Sequence, residues 1–124
     1  MLDHVKLTVS DLERSKKFYE QALAPLGYQV ASEGEGFVGL GAGDHAIPDL
    51  WLGLGDVTSS THVALRADRA GVDSFHEAAV GAGGEDNGSP GIRAHYHENY
   101  YGAFVRDPDG HNIEAVCHTT EAES

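Results

Sequence analysis

The chain has 124 residues, 40% of them apolar, enough for one domain with a modest core. Its 20 acidic against 8 basic residues give a formal net charge of −12, which repels phosphate backbones and anionic lipid, so neither nucleic-acid nor membrane binding is expected. The single cysteine, Cys117, excludes an intrachain disulfide and a thiolate-based structural metal site; any metal must be held by nitrogen and oxygen, and eight histidines are many for so short a chain. No window approaches the roughly 18 consecutive apolar residues of a membrane span. Met1-Leu2-Asp3-His4 lacks the basic-then-apolar order of a secretory signal, so a cytoplasmic protein is expected.

Taken in chain order, the elements repeat. Asp3-His4-Val5-Lys6-Leu7 alternates like a half-buried strand. A helix is predicted from about Asp11 to Leu23, with Ser10 and Glu13 at capping-box spacing, an apolar stripe of Leu12, Tyr19, Ala22 and Leu26, and Pro25 and Gly27 at its end. Short strands follow at Tyr28-Gln29-Val30, at Phe37-Val38-Gly39-Leu40 and at Leu50-Trp51-Leu52-Gly53-Leu54. Thr61-His62-Val63-Ala64-Leu65 opens a second, similar half. Its helix is predicted from about Gly71 to Ala82, with Gly83-Gly84 ending it. A weak strand near Gly84-Glu85-Asp86 precedes stronger ones at Tyr101-Gly102-Ala103-Phe104-Val105 and Asn112-Ile113-Glu114-Ala115-Val116, the last entered through the Asp107-Pro108-Asp109-Gly110 turn. Each half reads β-α-β-β-β and is too small to bury a core alone, so the two must pack together. One α+β domain is predicted over residues 1–118, with module one about 1–57, module two about 58–118, and a flexible polar tail at 119–124.

Alternation decides which way the strand side chains point. Val5, Leu7 and Val9 suit packing on helices, which puts His4, Lys6 and Thr8 on the other face. By the same parity His62, Ala64 and Arg66, and Glu114, Val116 and His118, lie opposite the helices, while Cys117 is core-facing. If the sheets curl into a shared cup, His4, His62 and Glu114 can all point into it. Two histidines and one carboxylate suit one divalent Zn, Ni, Fe or Mn ion and leave coordination positions for water or substrate.

These residues resemble the vicinal oxygen chelate superfamily, which includes glyoxalase I, fosfomycin-resistance thiol transferases, extradiol dioxygenases and bleomycin-resistance proteins. The resemblance spans nearly the whole chain. It rests on Asp3-His4-Val5, on Asp11-Leu12-Glu13-Arg14-Ser15 with Phe18-Tyr19, and on Thr61-His62-Val63-Ala64-Leu65. Its most specific stretch is Phe104-Val105-Arg106-Asp107-Pro108-Asp109-Gly110-His111-Asn112-Ile113-Glu114. It implies two tandem βαβββ modules forming a curved, cup-shaped mixed sheet with helices on the outer face. It also implies a metal held by His4, His62 and Glu114, a small substrate bound through adjacent oxygens, and a homodimer. Whether the cup is built within one chain or across two varies among such proteins.

The sequence also departs from these relatives. Glyoxalase I carries a fourth ligand, usually Glu, where this chain reads Pro48-Asp49-Leu50-Trp51-Leu52. Trp51 at that position would be a pocket wall contacting substrate; Asp49 would be a fourth ligand or a base. Extradiol dioxygenases carry Tyr ten residues before the acidic ligand, where Phe104 stands, although Tyr101 is nearby. The segment Arg93-Ala94-His95-Tyr96-His97-Glu98-Asn99-Tyr100-Tyr101 reads equally as a substrate-contact loop or as a polar surface loop. His97, as a substrate contact, and Tyr101, as a proton donor, are its better candidates. Lys6 and Arg66 are candidates for an anionic substrate, or lie at the rim in solvent. The expected catalytic set is therefore Glu114, Asp49 and Tyr101. The expected function is a glyoxalase-like, metal-dependent enzyme of lyase or isomerase type. The alternatives are an extradiol-type dioxygenase and a non-catalytic drug- or metabolite-binding protein.

Overall fold

The structure is a computed structural model and describes residues 1–44 and 47–121; the expected polar tail lies outside the described residues from position 122 onward. The first half contains β1 (Val5–Val9), α1 (Leu12–Leu23), β2 (Tyr28–Gly34), β3 (Phe37–Ala42) and β4 (Leu50–Leu54). The second contains β5 (His62–Arg66), α2 (Arg69–Gly81), β6 (Glu85–Ile92), β7 (Tyr101–Arg106) and β8 (Asn112–Cys117). Each half forms a four-stranded mixed sheet, in the orders β1-β4-β3-β2 and β5-β8-β7-β6, with the first strand parallel to the last. The expected α+β class and the repeated βαβββ plan are both present.

α1 starts one position later than the capping box implies. Asp11 is the N-cap, and its carboxylate accepts from the backbone N–H of Arg14. Ser10 is drawn away to the second half, where its hydroxyl and backbone N–H both donate to Asp109. α2 begins at Arg69 because Asp68 caps it through the N–H of Gly71. The segment that looked weak near residue 85 is an eight-residue strand, β6, whose register with β7 breaks twice, between Asp86 and Gly88 and again before Gly91. Its Gly, Ser and Pro content hides it from any alternation test.

α1 packs on β2, β3 and β4, α2 packs on β6, β7 and β8, and the two helices pack on each other. One continuous core results. It runs from Leu7, Val9, Leu50 and Leu52 through Phe18, Tyr19, Val72 and Phe75 to Val105, Ile113 and Ala115. The helices therefore cover one face of each sheet and leave the other open. Among the described residues no helix is long and apolar enough to cross a membrane.

Candidate metal centre and its surroundings

Glu114 sits in the middle of the second sheet, between β5 and β7, at register with Ala64 and Phe104. Its side chain belongs to the open face yet is only 1% exposed. The neighbours explain the burial. The Nε2 of His62 lies 2.7 Å from Glu114 Oε1, and the Tyr100 hydroxyl donates to Oε2. Gly102, beside them on β7, leaves the space: a Cβ there would stand 3.3 Å from Oε2 and 3.2 Å from the Tyr100 ring. His62, the first residue of β5, remains half exposed, with its ring 6.2 Å from that of Phe104. A buried carboxylate oxygen thus meets an accessible imidazole nitrogen. Side by side, those are the two donor types that hard-to-borderline divalent ions take from Glu and His.

His4 is not in that group. It precedes β1, is about half exposed, and has Nδ1 2.6 Å from Asp3 Oδ1. It does share a cavity of about 270 Å³ with His62, lined also by Tyr28, Asp49, Leu50 and Ala64. Among the described residues no three His, Cys, Asp or Glu side chains gather closely enough to hold a metal ion. The structure brings together His62 and Glu114 and leaves His4 apart.

The other candidates separate by face. Asp49 lines the same cavity as the two histidines. Its Oδ2 accepts from the Tyr28 hydroxyl at 3.0 Å, and its Oδ1 is buried without a hydrogen-bond partner. Burial, then the bond to Asp49 and that carboxylate's charge, push the Tyr28 hydroxyl well above its ordinary value, so it stays a donor. Trp51 lies at register with Lys6 and Gly39, its ring 6.0 Å from Phe37. The Lys6 chain runs over Gly53 on the same sheet. Arg66, at the end of β5, lines a separate recess with Leu26, Asp68 and Gly71.

Tyr101 points to the helix side: its hydroxyl donates to Asp73 of α2, and the Arg69 guanidinium lies 4.9 Å from its ring centre. The tyrosine that touches Glu114 is its neighbour, Tyr100. Counting back by twos from Phe104 through Gly102 reaches Tyr100 and passes over Tyr101, so strand parity held the signal. Burial, followed by the Glu114 hydrogen bond and charge, pushes the Tyr100 hydroxyl well up, although the nearby Arg93 pulls the other way. His97 stacks on His118, with Nε2 2.9 Å from His118 Nδ1, and sets its ring edge-on to Tyr100. It reaches the Glu114 neighbourhood through Tyr100.

Residues 1–115 match the model of the Glyoxalase/Bleomycin resistance protein/Dioxygenase superfamily. A glyoxalase/bleomycin resistance protein from Albidiferax ferrireducens is 28% identical, with a TM-score of 0.74, over 94% of this chain and 98% of its own. A family enzyme from Burkholderia phytofirmans, at 18% identity and a TM-score of 0.73, shares the fold over 95% of this chain and 98% of its own. The E144Q mutant of maize glyoxalase I is 27% identical with a TM-score of 0.72; there 98% of this chain aligns with 48% of a longer one. The comparison with curated proteins gave no match.

Proposed function

Since the chain belongs to the Glyoxalase/Bleomycin resistance protein/Dioxygenase superfamily, we propose that it is a glyoxalase-like enzyme of lyase or isomerase type that uses a divalent metal. The observation that carries this is the buried Glu114 carboxylate, 2.7 Å from the accessible Nε2 of His62. His62 and Glu114 would supply two protein ligands. His4, separated from them within one chain, would come from a second copy, which makes the protein a homodimer whose sites lie between copies. Members of the superfamily commonly bind such an ion, and the His-His-Glu donor set fits Zn, Ni, Fe or Mn. The ion's contribution is Lewis acidity toward two neighbouring oxygens of a small substrate.

The chain's own groups do the rest. Tyr100 occupies Glu114 Oε2 and so presents Oε1 beside His62. Asp49, held through Oδ2 by Tyr28 in the cavity it lines with His4 and His62, is the group assigned to take up a substrate proton. Trp51 and Phe37 form an apolar wall on the open face of the first sheet. His97 reaches the site only through Tyr100, and Tyr101 is occupied on the helix side. Elemental analysis and metal titration test the centre, followed by turnover of hemithioacetals of 2-oxoaldehydes. The expectation is about one ion per site, lost in both His62→Ala and Glu114→Gln, with turnover following the metal. Metal uptake that both variants retain would falsify the assignment.

A further inference from the structure

Arg93 lies one residue beyond β6, and its seat is built. Its Nη1 donates to Gly91 O at 2.9 Å and its Nη2 to Ser89 O at 2.8 Å. The guanidinium carbon stands 5.4 Å over the centre of the Phe104 ring, the same ring that His62 tilts against on the open face. The backbone is shaped to this side chain. β6 breaks register at Gly88 and before Gly91. A Cβ at Gly88 would stand 2.9 Å from the Phe104 ring and 3.1 Å from Nη2, and one at Gly91 would stand 3.3 Å from Nη1. Gly88 also holds a φ of +153°. The Arg93 backbone N–H donates to Tyr100 O at 2.7 Å. The two ends of the 93–100 loop are thereby pinned together, Tyr100 on Glu114 and Arg93 over Phe104.

In a chain with 20 acidic residues, no carboxylate among the described residues pairs with Arg93. Five N–H donors in a rigid fork exceed the two carbonyls that Arg93 meets, and a planar cation stacked on an aromatic ring is set up for bidentate oxyanions. We propose that Arg93 is the specificity-determining anchor for a substrate anion, so that the substrate of the His62–Glu114 centre carries a carboxylate or a phospho group besides its two chelating oxygens. The inference rests on the metal-dependent reading above. A purely structural Arg93 would only hold the β6 carbonyls, which a neutral donor can also do.

The test compares probes that share one chelating head: catechol, 3,4-dihydroxybenzoate and 3,4-dihydroxyphenylphosphonate, titrated calorimetrically into the Mn(II)-loaded full chain. Wild type is expected to prefer at least one of the two anionic probes over catechol by about tenfold; whichever is preferred identifies the group. Arg93→Gln, which keeps a donor for the carbonyls, is expected to erase that preference while leaving catechol affinity within about twofold. Arg93→Lys is expected to keep part of it. Equal affinity for all three probes in wild type, or an unchanged preference in Arg93→Gln, overturns the proposal. If the protein takes up no Mn(II), the metal reading fails by itself. Phenylphosphonate and benzoate titrated into metal-free protein, followed by NMR shifts, then decide Arg93 alone. Binding of either anion that is lost in Arg93→Gln supports the anchor; binding equal in both proteins, or absent from both, overturns it.

Discussion

Glu114 has both carboxylate oxygens engaged, one by His62 and one by Tyr100, and almost no contact with water. A ligand held this way keeps its orientation before a metal arrives, and losing an outer-shell partner typically weakens metal binding tenfold or more. Tyr100→Phe is therefore expected to lower metal affinity by about tenfold in calorimetric titration, with little change in fold; wild-type affinity in that variant would remove Tyr100 from the site. The tyrosines also set an alkaline limit. The hydrogen bond to Asp73, then burial and that carboxylate's charge, push Tyr101 up to about 12, and Tyr19, Tyr28 and Tyr100 are raised as well. A raised folded-state value means that the folded chain holds the phenolic proton more tightly than the unfolded chain. The stability so gained is complete below pH 10 and is lost as pH climbs through about 12. Melting temperature is expected to fall across that window, and less steeply in Tyr101→Phe. Parallel curves for the two proteins would show that the Tyr101–Asp73 bond contributes nothing.

Among the elements, those with a clean period were legible from sequence. Both helices, β1 just after His4, β5 beginning at His62, and β8 with its preceding turn follow 3.6- or 2-residue repeats and lie close to where the sequence puts them. β6 was not legible as a full strand, because its two register breaks use Gly88 and Gly91 to seat a side chain and leave no alternation to read. The same cause hid Arg93, whose role depends on those breaks. Tyr100 is hidden differently: it lies one residue before β7 in a segment with no strand pattern of its own, so only parity carried back through Gly102 reveals the face it shares with Phe104. Gly83 and Gly84, read together as a helix stop, do separate jobs. Gly83 takes the positive φ of 100° that turns the chain out of α2. Gly84 allows close packing where α1, α2 and β7 meet: a Cβ there would stand 2.5 Å from Val105, 2.7 Å from Phe18 and 2.8 Å from the Ala79 carbonyl. Gly84→Ala overpacks a filled core and is expected to cost about 1–3 kcal/mol in urea unfolding. Undiminished stability would mean that the helix junction yields freely.

At the scale of the molecule, the two sheets share no strand ladder among the described residues. The halves are joined by helix packing and by the Asp107–His111 turn. Asp107 accepts from the Tyr19 hydroxyl on α1, while His111 accepts from the Thr61 N–H and donates to the Thr8 carbonyl. Asp109 binds Ser10 and Arg14; burial opposes its ionisation, but those partners prevail and hold its carboxyl below the ordinary range. The clamp fixes each half against the other while both open faces stay uncovered. On the function proposed above, a second copy would complete a metal site that needs His4 beside His62 and Glu114, the first sheet of one chain facing the second sheet of the other. The arrangement makes an unusual demand on variants. In a homodimer built that way, His4→Ala and His62→Ala would each destroy both sites, so each is expected to be inactive and metal-poor. A mixed dimer places the intact His4 of one chain against the intact His62 and Glu114 of the other and so regains one site. After unfolding and refolding an equal mixture, random pairing leaves about half the dimers mixed, and about a quarter of the wild-type metal capacity should return. A centre built inside one chain would give no recovery at any mixing ratio.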